Sequence, residues 1–190
     1  MAYAKLFVVS APSGAGKTTL VTELLQSLPA GCCLERVVTY TTRMPRPKET
    51  DIHYHFMSAE QFKERIQEGF FLEWSSWYGN YYGSPKSVLE KLKKGISLIM
   101  ILDRSGARAI KALVPKAELI WIKPPSLAVL EERLKKRGDD TASRIFRLER
   151  ADLELKEEEK EHLFHHTIIN DDKGRALIEL RRIVCPKKSC

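Results

Sequence analysis

The chain reads as an α/β protein: a three-layer fold with a parallel central sheet, helices on both of its faces and one inserted lobe of different character. Three observations predict this. Short apolar runs bounded by turn residues alternate with helical stripes along most of the 190 residues. The first apolar run opens directly onto a glycine-rich turn and then a helix. Residues 39–84 break the rhythm and hold 11 of the 16 aromatic residues. Strands that alternate with helices pair in parallel through right-handed crossovers.

The elements follow in order. Residues 6–10 (Leu-Phe-Val-Val-Ser) form a continuous apolar run that ends at Ala11-Pro12-Ser13-Gly14. A run of that kind suits a central strand buried on both faces. Over 18–28 the apolar residues Leu20, Val21, Leu24, Leu25 and Leu28 make a helical stripe. Pro29 and Gly31 end it. Later strands are predicted at 98–102, 119–122 and 166–169, and later helices at 107–114, 127–134 and 174–184. The aromatic-rich insertion is expected to be strands plus one helix, over about 58–68. Most of its aromatics serve a small second core. The charged stretch 144–162, with Glu157-Glu158-Glu159-Lys160-Glu161, is the wet face of a helix and carries no assigned function.

Composition narrows the class. Hydrophobic residues at 43% and charged residues at 30% fit a folded globular chain rather than a disordered one. A formal charge of +7 and a pI near 9.2 favour an anionic partner, whether nucleotide, nucleic acid or membrane surface. Cys32, Cys33, Cys185 and Cys190 have neither zinc-ligand spacing nor the density of a disulfide framework. Reduced thiols are expected. The start of the chain lacks the pattern of a signal peptide, and the apolar run 6–9 is too short to span a bilayer. A soluble, cytoplasmic protein is expected, with no membrane and no nucleic acid among its partners.

Chemistry enters at Ser10-Ala11-Pro12-Ser13-Gly14-Ala15-Gly16-Lys17-Thr18, set between strand and helix. The pattern G-x-x-x-x-G-K-[ST] is matched at Gly16, Lys17 and Thr18, while Ala11 stands at the first glycine position. A Cβ is tolerable at Ala11 if that residue keeps negative φ. Gly14 and Gly16 let the backbone curl so that successive N–H groups point at phosphate oxygens. The helix that follows adds the positive end of its dipole. Lys17 is expected to bridge β- and γ-phosphates, and the Thr18 hydroxyl to bind Mg²⁺. This cradle implies a nucleoside triphosphate but does not name the acceptor.

Three further segments carry a family resemblance. Thr39-Tyr40-Thr41-Thr42-Arg43-Met44-Pro45-Arg46-Pro47, then Phe71-Leu72-Glu73-Trp74, then Gly79-Asn80-Tyr81-Tyr82-Gly83-Ser84 resemble, in order, the signatures of guanylate kinases. The likeness runs over about 6–180. It implies a P-loop kinase fold with a core of 1–38 and 85–190, a GMP-binding lobe of 39–84 and a short lid at about 134–147. It implies Mg-dependent transfer of the ATP γ-phosphoryl group to GMP, and to dGMP. Arg43 and Arg46, three residues apart, can converge on one phosphate. Tyr54 and Tyr82 can add phenolic donors. By the resemblance Glu73 accepts the N1–H and N2–H₂ donors of guanine, with Thr39, Ser84 and Asp103 as further partners. The family has Asp-x-Asp where this chain reads Ile101-Leu102-Asp103, so the first acid is missing.

On the ATP side the resemblance implies contacts from Ala11, Pro12, Ser13, Gly14, Ala15, Gly16, Lys17, Thr18 and Thr19. It makes Arg137 and Arg147 the lid arginines on the transferring phosphoryl group. The segment between them is one residue shorter than usual, which leaves Arg144 as a competitor for the second place. Asn170 is implied as the adenine contact, or alternatively as part of a strand end with an Asn/Asp cap before the last helix. A monomer or a homodimer is expected. Non-enzymatic guanylate-kinase-like peptide-binding modules typically lack the phosphate loop and the lid arginines, and this chain has both.

Overall fold

The structure is a computed structural model that describes residues 4–45, 50–51, 54–77 and 79–186. Arg46, Pro47 and Cys190 lie outside the described residues. Along the chain the elements are β1 (Leu6–Ser10), α1 (Lys17–Gln26), β2 (Leu34–Arg36), β3 (Thr39–Thr41), β4 (Tyr54–Phe56), α2 (Ala59–Gln67), β5 (Phe71–Trp77) and β6 (Asn80–Pro85). They continue with α3 (Ser87–Lys93), β7 (Ser97–Ile101), α4 (Arg104–Leu113), β8 (Glu118–Lys123), α5 (Leu127–Lys136), α6 (Thr141–Glu161), β9 (His166–Ile169) and α7 (Lys173–Val184). The fold is α/β, with a parallel central sheet and a second, mixed sheet. It divides into two compact units, one of 1–6 and 33–117, the other of 7–32 and 118–190.

In the second unit β1 is buried at all five positions and pairs in parallel with β8, Phe7 opposite Glu118 through Ser10 opposite Trp121. β8 pairs in turn with β9, from Ile120 opposite His166 to Lys123 opposite Ile169. Leu20, Val21 and Leu24 of α1, Leu130 and Leu134 of α5, and Ala176, Leu180 and Val184 of α7 bury the predicted apolar stripes. Side chains cap three helices here: Ser126 accepts from Val129 N (3.2 Å), Asp140 from Ser143 N (2.9 Å) and Asp172 from Arg175 N (2.7 Å). α1 is different. Its cap is Gly16 at φ 101°, and no side chain bonds its first amides.

In the first unit β2 and β7 pair in parallel, with Leu34 opposite Ser97. The mixed sheet has the order β4-β3-β6-β5. Its register divides the side chains cleanly, because alternate residues of a strand face opposite ways. Glu73 lies opposite Ser84, Ser75 opposite Tyr82, Thr41 opposite Tyr82, and Thr39 opposite Tyr54. These residues share one face. The other face is aromatic: Phe62 of α2 stacks on Phe71 (4.3 Å between centroids) and Tyr81 (5.3 Å), and Tyr40 meets His55 at 4.6 Å. A Cβ at Gly83 would stand 2.8 Å from the Phe71 ring, so this glycine lets the aromatic core close. The second core expected from composition is this aromatic face.

Two parts differ from the sequence reading. β2 and α3 have no sequence-based counterpart, because each is short and buries a single residue, Leu34 and Val88 respectively. The charged face of α6 is not uniformly wet: Glu154 and Glu158 are buried. Glu158 Oε1 accepts from Phe164 N at 3.1 Å, across the turn at His162 where φ is 48°. A carboxylate that ties a backbone donor tolerates burial better than an unpaired one.

Candidate nucleotide-binding sites

The phosphate loop occupies 10–18 in the second unit. Ala15 N donates to Pro12 O (3.1 Å), and Gly14 (φ 91°) and Gly16 (φ 101°) supply the left-handed turns. Both are also tight. A Cβ on Gly14 would meet Leu134 of α5 at 2.8 Å, and one on Gly16 would meet Asn170 Nδ2 at 2.5 Å. Ala11 meets the condition set for it, since among the described non-glycine residues only His162 has positive φ. Lys17 lies back along the loop, its Nζ donating to Ala11 O at 2.8 Å and Pro12 O at 3.5 Å. Thr18 and Thr19 stand in the first turn of α1.

A brace holds the loop from behind. Asn170, 6% exposed, donates from Nδ2 to Ala15 O (2.7 Å). Arg133 donates from Nη2 to Asn170 O (2.7 Å) and from Nη1 to Ala15 O (3.4 Å). Arg133 is one of the crowded arginines, with Arg137, Arg144, Arg147 and Arg150, and the sequence assigned it no role. Its one signal was a place four residues before Arg137, one helical turn away on the same face. Asp172 caps α7, as the alternative reading of that segment expected.

The two arginines assigned to the lid are Arg137, at the C-terminal end of α5, and Arg147, in α6 of the same unit. Arg147 Nη1 donates to Ser13 Oγ of the loop at 2.7 Å. Arg144 instead lies 3.6 Å from Glu131. Arg137 pairs with Asp139 through Nε (2.9 Å to Oδ1) and Nη2, and Arg147 Nε lies 3.2 Å from Asp139 Oδ2. Asp139 was not singled out in the sequence.

The other site is the polar face of the mixed sheet in the first unit. Thr39, Thr41, Glu73 and Ser84 are buried on it. Glu73 is 6% exposed, and Ser84 Oγ donates to its Oε1 at 2.6 Å. Burial pushes the Glu73 carboxyl up to about 7, against the Ser84 hydrogen bond, with the charge of Asp103 pushing the same way as burial. Asp103 caps α4 through Gly106 N (2.7 Å), accepts from Ser105 Oγ (2.6 Å), and is joined to the sheet by Ser75 Oγ at 2.8 Å. Ser75 is the partner that sequence reasoning missed, although it lies two residues from Glu73 and so on the same face. Tyr54 and Tyr82 rings are 6.4 Å apart, and the Arg43 guanidinium sits 5.5 Å from the Tyr54 ring centroid. Arg43 Nη1 donates to Met44 O at 2.7 Å. Arg46 falls outside the described residues.

A strand, a turn with two left-handed glycines and a helix whose start carries no side-chain cap place the chain among the P-loop proteins that bind nucleoside phosphates. The family model for guanylate kinases matches residues 3–186. The guanylate kinase of Idiomarina loihiensis is 39% identical over 186 residues, covering 96% of this chain and 87% of that protein. That of Aliivibrio fischeri is 42% identical over 187 residues, covering 97% and 88%. The crystal structure of guanylate kinase from Anaplasma phagocytophilum matches in fold with a TM-score of 0.78 at 24% identity, over 96% of this chain and 85% of that one. A shikimate kinase from Bacteroides thetaiotaomicron shares the fold with a TM-score of 0.53 at 14% identity, covering 95% and 98%. The chain belongs to the guanylate kinase family, which phosphorylates GMP using ATP. It is a transferase of the nucleoside monophosphate kinase kind.

Proposed function

We propose that this protein carries out Mg-dependent transfer of the ATP γ-phosphoryl group to GMP, and to dGMP, in the cytoplasm, as a monomer or homodimer. The single observation that carries the base assignment is Glu73: a carboxylate buried beside Ser84 on a polar sheet face, its carboxyl pushed up to about 7 by burial. Guanine offers two adjacent donors to such a group, and adenine offers none in that place. A buried acceptor left unmatched by the wrong base is the kind of site that discriminates by factors of about 10⁴. Thr39 and Asp103 flank the base, and Arg43, Arg46, Tyr54 and Tyr82 hold the acceptor phosphate. In this reading the lobe is 39–84, the core 1–38 and 85–190, and the lid about 134–147.

ATP lies on the amides of 11–19, with Lys17 swinging from the loop carbonyls to the β- and γ-phosphates. Asn170 serves from behind, fixing Ala15 and offering its remaining amide face to adenine. Metal donors are sparse. Among the described residues no group of three or more His, Cys, Asp or Glu can hold an ion, and the buried Ile101 stands where the family carries an acid. Thr18 with phosphate oxygens and water suits Mg²⁺, which keeps several waters and needs few protein ligands. When bound, the ion would neutralise charge on the β- and γ-phosphates. An oxygen of the GMP phosphate attacks the γ-phosphorus, the bond to the β-phosphate oxygen breaks, and ADP leaves. The attacking oxygen is already anionic, so no general base is required. The work of the protein is alignment and charge neutralisation, with Arg137 and Arg147 on the transferring group.

Lys17→Ala tests this core directly. Its turnover in an ADP-release assay should fall by at least about 10²-fold, in line with the loss of a pre-organised phosphate contact. Its thermal unfolding should stay cooperative. Undiminished turnover in folded Lys17→Ala protein would remove the proposal.

A further inference from the structure

Two arginines that must converge on one phosphoryl group repel each other until that group arrives. The link between α5 and α6 carries the remedy. α5 ends in a Schellman arrangement: Gly138 N donates to Lys135 O (3.0 Å) and Asp139 N to Leu134 O (3.3 Å), with Gly138 at φ 87°. One residue later Asp140 caps α6, its two carboxylate oxygens taking Ser143 N (2.9 Å) and Ser143 Oγ (2.6 Å). Asp139 is thus fixed from both sides by helix-end hydrogen bonds. Its side chain, 15% exposed, stands between Arg137 and Arg147.

The geometry of the contact matters. Arg137 meets Asp139 side-on with Nε and Nη2, whereas Arg147 Nε lies 3.2 Å from Asp139 Oδ2 as an ion pair without hydrogen-bond geometry. A guanidinium has two usable edges, and a side-on partner on the Nε edge leaves the Nη1–Nη2 end as a second fork. Arg147 already uses Nη1 to reach Ser13 of the phosphate loop. We infer that Asp139 is a positioning residue: its single carboxylate holds Arg137 by the Nε edge and Arg147 by charge, offsets their mutual repulsion, and keeps both guanidinium groups in place for the transferring phosphoryl group. This rests on the proposed role of those two arginines.

The test measures kcat and the KM values for ATP and GMP in the full chain. Asp139→Asn keeps the size of the side chain but loses the charge that two cations share. Misaligning groups in a pre-organised site costs on the order of 10²-fold, so kcat should fall about 10- to 100-fold. The KM for GMP should stay within about twofold, because the acceptor site is untouched. In an Arg147→Ala background the same change should cost less than about threefold, since its target is gone. Asp139→Ser should behave like Asp139→Asn, and both should unfold cooperatively near the parent temperature. An unchanged kcat in Asp139→Asn would overturn the inference. So would an equal loss in the Arg147→Ala background. A rise in kcat or in ATP affinity would overturn it too, by showing the carboxylate to be a competitor of phosphate. If Arg137→Ala and Arg147→Ala themselves kept full kcat, the lid assignment beneath it would fall; crippled arginine variants beside an intact Asp139→Asn would refute Asp139 alone.

Discussion

Glu73 shows how a residue can be costly to the fold and useful to the site. The unfolded chain would ionise it near 4.5, whereas burial in the folded chain raises it to about 7. Between those values the folded chain keeps the Glu73 proton and the unfolded chain does not, so stability falls as pH rises across the window. That rise corresponds to roughly 3 kcal/mol. Glu73→Gln keeps an acceptor for Ser84 Oγ and has no charge to bury. In urea unfolding its stability relative to the parent should therefore improve between pH 5 and pH 8, by up to about 3 kcal/mol. Its preference for GMP over AMP should collapse over the same range. Glu73 was singled out in the sequence as a carboxylate set among aromatics in a segment that resembles the guanylate kinase signature. Its burial and its hydrogen bond from Ser84 were not legible there, since both depend on which strands lie side by side. Asp139 was illegible for a similar reason: beside Arg137 in sequence it is one acid among many, and its ion pair with Arg147 requires the turn between α5 and α6.

The element that best repaid sequence reading is the run from β1 through the loop to α1. Continuous burial, two left-handed glycines and an apolar stripe are all local signals, and each is present where expected. What the local signal omitted is the pressure from behind, where Asn170 and Leu134 come from distant parts of the chain. Gly16 answers to both, by its φ of 101° and by the 2.5 Å that a Cβ would leave to Asn170 Nδ2. Gly16→Ala should therefore lose about 2 kcal/mol, from left-handed strain and a displaced hydrogen bond. A thermal melt lowered by several degrees would register it, and ATP should no longer raise the melting temperature. The lobe was legible as strands plus one helix, with α2 confined to Ala59–Gln67 by the Ser58–Gln61 capping box. Its division into a polar and an aromatic face was not, because cross-strand register cannot be read from one strand at a time. α6 was underrated for a further reason. A run of acids predicts solvent, and only the partner of Glu158 in the following turn reveals why burial is tolerated.

At the scale of the whole molecule the basic balance acquires a meaning. Part of the +7 charge is local: Lys17, Arg133 and Arg147 each donate to the phosphate loop, and Arg43 stands beside the Tyr54 ring. The described helices include none long and apolar enough to cross a membrane. Two anionic ligands are proposed, one held by main-chain amides and one whose base is selected by the buried Glu73 carboxylate. Steady-state ADP release from ATP, with GMP or AMP supplied as acceptor at equal concentration, tests this most directly. The account predicts rapid release with GMP and a kcat/KM for AMP lower by at least about 10³-fold. Comparable values for the two acceptors would contradict it.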